Sequence, residues 1–300
     1  MDVFSHAPSL HSLELCSSAV SKRLLFPLHQ IKTITFDDCW FVRMYPVLPL
    51  FHDADRVVFN DLALNGIGLH RSRVMLNARH LSVVSVEKDG IGPILDICAV
   101  PRLESLEVIN HWGVARGWDK PWDVAPFREC LLRSSCSLTS LRLEKLPIID
   151  DQMISLLQIT PCLESLHIVG AKPYMDENPD DPHNIIVTTN FLRRLSAHRR
   201  YWETAISSSP ADPVVPRLKH LTLEVHSGPL DQQALIDVVT SPWNPTGVDD
   251  TSGDGYNCLR SVAFVVKVFR NAEASFDSLL TLECFKDAGL EINIEVVYYT

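Results

Sequence analysis

The stretch from Leu138 to Gly170, LTSLRLEKLPIIDDQMISLLQITPCLESLHIVG, contains the spacing L-x-x-L-x-L twice, at Leu138-Leu141-Leu143 and Leu163-Leu166-Ile168, 25 residues apart. Between the two copies lie a polar turn and an amphipathic run, Asp150 to Leu157, with Met153, Leu156 and Leu157 at helical spacing. Strand side chains alternate faces with period two and helical ones recur at 3.6, so the apolar positions mark the core-facing side of each element. A strand, turn and helix that return to the same strand signature cannot bury their apolar faces alone. Such a unit is stable only when copies of it stack.

Copies recur along the chain. In order they are Leu10-Leu13-Leu15, Ile31-Ile34-Phe36, Ala54-Val57-Phe59, Leu81-Val84-Val86 and Leu103-Leu106-Val108, then the two above. Leu192-Leu195-Ala197, Leu218-Leu221-Leu223 and Leu259-Val262-Phe264 follow, and a last alternating strand runs from Leu290 to Tyr298. The steps between first anchors are 21, 23, 27, 22, 35, 25, 29, 26 and 41 residues. Leucine-rich repeats are about 20 to 29 residues long, so only the steps of 35 and 41 need insertions. The expected fold is α/β: a leucine-rich-repeat solenoid with a parallel sheet on the concave face and helices on the convex face. The expected organisation is one solenoid over residues 1–300, of about ten divergent repeats, with loop insertions near 110–126 and 241–257.

Pro8, Pro101, Pro161 and Pro216 each stand two residues before a first anchor. Proline there is expected to end the preceding helix and lead into the strand in extended form. Outward strand positions carry Ser12, Glu14, Thr33, Thr35, Ser105, Glu107, Ser140, Arg142, Glu144, Ser165, His167, His220, Thr222, Glu224 and Ser261. The recurrent serine suits a tight strand stack. The mixed residues beside it suit a protein-binding surface and equally a solvated sheet face.

Composition excludes several classes. A formal net charge of -10 opposes general binding to nucleic acid, because phosphate backbones reward clustered positive charge. No run of eighteen apolar residues is present, so no transmembrane helix and no membrane partner is expected. The N-terminus has neither a basic segment nor a continuous apolar one, as a secretory signal would. The 8 cysteines form no C-x-x-C pair and are read as reduced, mostly buried residues of a cytoplasmic or nuclear protein. The G-x-S-x-G, P-loop, G-x-G-x-x-G and H-E-x-x-H motifs are all lacking, so no enzyme, cofactor or metal is expected.

Residues 110–126, NHWGVARGWDKPWDVAP, hold Trp112, Trp118 and Trp122 among glycine and proline. Tryptophans on a loop are frequent binding hot spots; the other reading is that they fold back over the sheet edge. Residues 241–257, rich in Pro, Gly, Asp and Ser, read as a solvated excursion without the EF-hand pattern, and so does the acidic segment Asp176 to His183. The basic cluster Arg193, Arg194, His198, Arg199 and Arg200, with Tyr201 and Trp202 after it, has the composition of a nucleic-acid or ligand patch. Pairing with nearby acidic segments is its other use. Candidate partner-binding residues are therefore Trp112, Trp118, Trp122, Glu107, Arg142, Glu144, His167, His220 and Glu224.

The segments PCLESLHIVG, VPRLKHLTLEV and CLRSVAFVVK, with the closing strand GLEINIEVV, resemble the C-terminal repeats of fungal F-box/leucine-rich-repeat-like proteins. That resemblance implies repeats presenting a substrate protein to a cullin-RING ubiquitin ligase, with an N-terminal F-box docking a Skp-type adaptor. No F-box segment precedes Pro8 in this sequence, so no residue here is assigned to adaptor binding. The expected function is a protein–protein interaction scaffold, in its finer form the substrate-recognition repeats of such a receptor. The alternative is a ligand- or nucleic-acid-binding solenoid using the Arg193–Trp202 patch.

Overall fold

A computed structural model describes residues 9–16, 28–62, 72–85, 90–111, 122–170, 187–196, 214–226, 231–240, 259–269 and 277–299. The chain forms a mixed α/β structure of two compact units, divided near Leu138. The first contains β1 (Ser12–Cys16), β2 (Thr33–Asp37), α1 (Phe41–Met44), β3 (Arg56–Asn60), β4 (Val74–Met75) and β5 (His80–Ser85). It continues with α2 (Ile91–Ile97), β6 (Cys98–Ala99), β7 (Ser105–Asn110) and α3 (Ala125–Ser134). Strands β1-β2-β3-β5-β7 lie side by side and parallel, while β4 and β6 form a separate parallel pair.

The second unit contains β8 (Ser140–Glu144), α4 (Asp150–Gln158), β9 (Ser165–Val169), α5 (Thr189–Ser196) and β10 (His220–His226). After these come α6 (Gln232–Thr240), β11 (Ser261–Phe269), α7 (Asp277–Leu280) and β12 (Glu291–Tyr299), and all five strands are again parallel and in chain order. Parallel neighbours need a crossover between them, which is what the intervening helices and turns provide.

Register turns the sequence anchors into continuous apolar rows. In the first unit Ile34, Val57, Leu81 and Leu106 are aligned, as are Phe36, Phe59, Val83 and Val108, and all are buried. Phe36 stacks on Phe59 at 5.6 Å between ring centroids and meets Phe51 edge-on at 5.9 Å. In the second unit the rows are Leu141-Leu166-Leu221-Val262 and Leu143-Ile168-Leu223-Phe264, buried likewise. Helices cover these rows with Met153, Leu156 and Leu157 on α4, as their spacing predicts, Phe191 and Leu192 on α5, and Leu235 and Val239 on α6. The Arg133 guanidinium of α3 donates to the carbonyls of Leu95 and Cys98, satisfying acceptors left over at the end of α2.

Two backbone devices repeat with the anchors. At the strand starts, two successive N–H groups converge on one carbonyl of the previous copy: Lys32 and Thr33 on His11, Arg79 and His80 on Asp55, Glu104 and Ser105 on Arg79. The same is true of Glu164 and Ser165 on Thr139, Lys219 and His220 on Glu164, and Arg260 and Ser261 on Lys219, all at 2.7–3.1 Å. At strand ends, Asp38, Asp61 and Lys145 take positive φ of 44, 50 and 54°. Their N–H groups donate to Asn60, Val84 and Val169, so the chain leaves each strand while still tied to the next. Asp tolerates the left-handed region through its short polar side chain. Lys145 has no such help.

The prolines act differently from expectation. Leu103, Leu163 and Leu218 donate to the carbonyls of Val100, Thr160 and Val215, closing four-residue turns in which Pro101, Pro161 and Pro216 occupy the second position. Proline's preset φ suits that position of a turn, so it closes a turn where an extended approach was expected. Ile31 on Leu28 and Ala54 on Phe51 make the same closure without proline. Pro8 lies outside the described residues.

Two further expectations are corrected. Leu192-Leu195-Ala197 is not a strand: Thr189–Ser196 is helical, and β9 pairs directly with β10. Thr188 caps this helix, its Oγ1 accepting the Phe191 N–H at 3.0 Å, and Phe191 and Leu192 enter the core. The fourth copy is shifted: Leu81 and Val83 align with Val57 and Phe59, Ala78 becomes the buried first anchor, and Val84 is only half-buried. The flanking steps become 24 (78 − 54) and 25 (103 − 78) residues. The run Leu81-Ser82-Val83-Val84 admits both registers, and only its neighbours decide. The closing strand lies where expected, as β12.

The described cysteines are free, but not uniformly buried. Cys39, Cys98 and Cys130 are buried, and burial pushes the thiols of Cys39 and Cys130 up to about 11; Cys16 and Cys284 are exposed, against expectation.

Phe36 lies between two other rings in a fully buried row, so Phe36→Ala leaves a cavity its neighbours cannot close. We expect a loss of about 3–5 kcal/mol in unfolding free energy, read from urea denaturation.

Candidate functional site

The outward face of the second unit assembles most of the candidate residues. Between the buried anchors, alternate side chains of β8 to β11 point away from the core in aligned rows. One row is Ser140, Ser165, His220 and Ser261, and the next is Arg142, His167, Thr222 and Ala263. Further along, Glu144 is at the end of β8, and Glu224 and Lys267 lie on β10 and β11. These rows exist because each outward residue is flanked by two core anchors, which leaves its side chain no other direction.

The face is internally paired. Arg142 forms an ion pair with Glu144, whose carboxylate also lies 3.8 Å from Nε2 of His167. Lys267 donates to Glu224, and Nδ1 of His220 is 2.7 Å from Oγ of Ser261. The side chains of Glu144, Glu224 and Lys267 are only 13, 12 and 14% exposed, while Arg142 keeps 46%. The charges nearest the backbone are thus shielded by their neighbours, and Arg142 and His220 stand out toward solvent. Burial raises the Glu224 carboxyl, with the nearby Glu144 carboxylate adding to the rise; the hydrogen bond and charge of Lys267 oppose it.

The other candidates are placed elsewhere. Glu107 is on β7 in the first unit, where its Oε2 accepts from Oγ of Ser82 at 2.8 Å. Trp122 is a correction: it is 5% exposed and packs on Phe127 at 6.1 Å, so it belongs to the core of the first unit and is not a loop anchor. The start of α3 directly after it draws the indole inward. Trp112 and Trp118 lie outside the described residues, as do Asp176 to His183, residues 241–257, and His198, Arg199, Arg200, Tyr201 and Trp202 of the basic cluster. Arg193 and Arg194, on α5, pair with Asp231 at 2.9 Å and with Asp151 respectively. Their heads are thereby engaged by neighbouring acidic groups.

Two features went unread in the sequence. Lys267 is the counter-ion of Glu224, and its signal was the continued alternation Val266-Lys267-Val268 beyond the L-x-x-L-x-L window. In the first unit, Glu14, Cys16 and Asp37 bring potential ligand atoms within 4.8 Å of one another. This trio is open to solvent, and Asp37 already accepts from Asn60 Nδ2. Adjacent parallel strands put it together, which no linear spacing reports.

No protein-family model matches the chain, and the comparison with curated proteins returns no match. Among the described residues, no helix is long and apolar enough to cross a membrane.

Removing one member of the shielded Glu224–Lys267 pair leaves a charge with little water, so Lys267→Met should cost about 1–3 kcal/mol at neutral pH. Its sign with pH follows from Glu224. A carboxyl raised in the folded state opposes folding when ionised and ceases to do so when protonated. The penalty of Lys267→Met should therefore shrink as pH falls through the Glu224 titration, and the double variant Glu224→Gln/Lys267→Met should recover most of the loss. Chemical denaturation at several pH values checks both.

Proposed function

We propose that this chain is a leucine-rich-repeat solenoid that works as a protein–protein interaction scaffold, with the outward strand face around Arg142, Glu144, His167, His220 and Glu224 as its docking surface. The observation that carries this reading is the convergence of these residues, from three separate strands, onto one face of alternating charge. Pre-paired charges with little freedom left give specificity and orientation at low entropic cost. The engagement of Arg193 and Arg194 by Asp231 and Asp151 favours this reading over nucleic-acid binding, which needs free cations along a phosphate backbone. In its finer form the proposal is the substrate-recognition part of an F-box-type ubiquitin-ligase receptor in the cytoplasm or nucleus. The Skp-type adaptor would then dock on an F-box outside this sequence.

Introducing negative charge at the two solvent-facing positions, Arg142→Glu with His220→Glu, tests the docking face. Quantitative affinity purification of the full chain should show specific partners reduced at least tenfold against the parent, with Arg128→Glu on the exposed side of α3 without effect. Equal recovery from all three proteins would remove the face from the account. Skp-type adaptor among the partners of the endogenous protein would support the ligase form, and its absence there would leave a scaffold without a ligase.

A further inference from the structure

The apolar row of β12 is covered less well than that of its neighbour. On β11, Val262, Phe264, Val266 and Val268 are at most 1% exposed; their register partners Ile292, Ile294 and Val296 are half-buried, and Tyr298 is 65% exposed. Pairing with β11 is unbroken from Ser261↔Glu291 to Phe269↔Tyr299. The Glu291 N–H donates to the Arg260 carbonyl at 2.9 Å. Backbone groups of successive strand residues face opposite edges. Glu291, Asn293, Glu295 and Val297 therefore bond toward β11, while Ile292, Ile294, Val296 and Tyr298 turn their N–H and C=O groups to the other edge. No strand among the described residues pairs with that edge.

Natural sheets blunt open edges with charged side chains, lysine above all, with proline or with a bulge. β12, EINIEVVYY, has no lysine, proline or bulge; its charges are Glu291 and Glu295, both acidic and both on the face away from the apolar row. We infer that this edge is a docking site for an extended segment of another protein, added as a further strand. The flanking side chains define its chemistry. Glu291 and Glu295 are exposed on one face and form no ion pair among the described residues, so the positions opposite them are Lys or Arg. Ile292, Ile294, Val296 and Tyr298 are on the other face, so the alternate positions are aliphatic or aromatic. A second copy of this chain fits worse. Two β12 strands paired along their length set Glu291 and Glu295 opposite or diagonal to the same carboxylates, and like charges so placed are destabilising.

The test uses the full chain and a fluorescein-labelled peptide, (Lys-Val)4, followed by anisotropy. Val296→Pro deletes an N–H on the open edge and spares the ladder to β11, a setting in which edge strands tolerate proline. Glu295→Lys reverses the outward charge without touching the backbone, so the test stands even where the proline variant does not fold. Binding of (Lys-Val)4 should weaken at least tenfold in each variant, and Glu295→Lys should instead prefer (Glu-Val)4. Equal affinity of the parent and Glu295→Lys for (Lys-Val)4 would overturn the inference. So would concentration-dependent dimerisation of the parent in sedimentation velocity that Val296→Pro abolishes, because the occupant would then be a second copy.

Discussion

Two N–H groups converging on a single carbonyl at the start of one strand after another are the constraint from which the rest of this architecture follows. The contact locks the next copy to the previous one at a definite residue, and a slip of one residue would turn every side chain to the opposite face. Once locked, apolar anchors from separate copies line up as rows, and the rows exclude water. Phe36 and Phe59 illustrate the result, since residues 23 positions apart (59 − 36) stack as directly as designed neighbours. The turn that precedes the first anchor and the left-handed residue that follows several strands serve the same alignment. They bring the chain in and take it out at the same height in successive copies.

That register also makes the candidate site. Arg142, His167 and Glu224 are far apart in the chain and share a face only because β8, β9 and β10 are parallel neighbours. Parallel stacking puts equivalent positions of different copies side by side, so a charge introduced in one copy meets whatever the next copy carries there. Glu144 pairs with Arg142 two residues earlier on its own strand and reaches His167 on the next, and Glu224 reaches Lys267 two residues beyond its register partner on β11; each gains a partner that offsets part of the cost of leaving water. The charges of this face are arranged before any partner arrives, which is what supports the proposed scaffold function. The proposed docking at the edge of β12 would be recognition of another kind, through backbone groups, with side chains choosing the occupant.

The helical side of the second unit shows where short-range reading fails. FLRRLS has apolar residues at positions that fit both a degenerate strand signature and a helix. The competing signal was Thr188 ahead of it, a capping residue whose hydroxyl accepts the Phe191 N–H and starts a helix. Arg193 and Arg194 then fall on the helix surface within reach of Asp231 and Asp151, and these two members of the cluster that reads as a basic patch form ion pairs with neighbouring acidic groups. Of the two readings open for Trp122, loop anchor or folding back, the choice failed to show in the sequence for a related reason. Glycine and proline nearby mark a loop, but burial depends on the helix that begins just after it and on Phe127 within that helix.

The sequence alone determined most of the strand positions, their parallel and repetitive character, the helix at Asp150–Gln158 and the outward identity of most candidate residues. These follow from local periodicity, which the chain carries in every copy. The tertiary structure decided the register at Leu81, the helix at Thr189–Ser196, the burial of Trp122, the Glu224–Lys267 pair and the open edge of β12. Each of these depends on what lies across a neighbouring strand or helix. Periodicity says which way a side chain points, but only packing against distant residues says what it meets there.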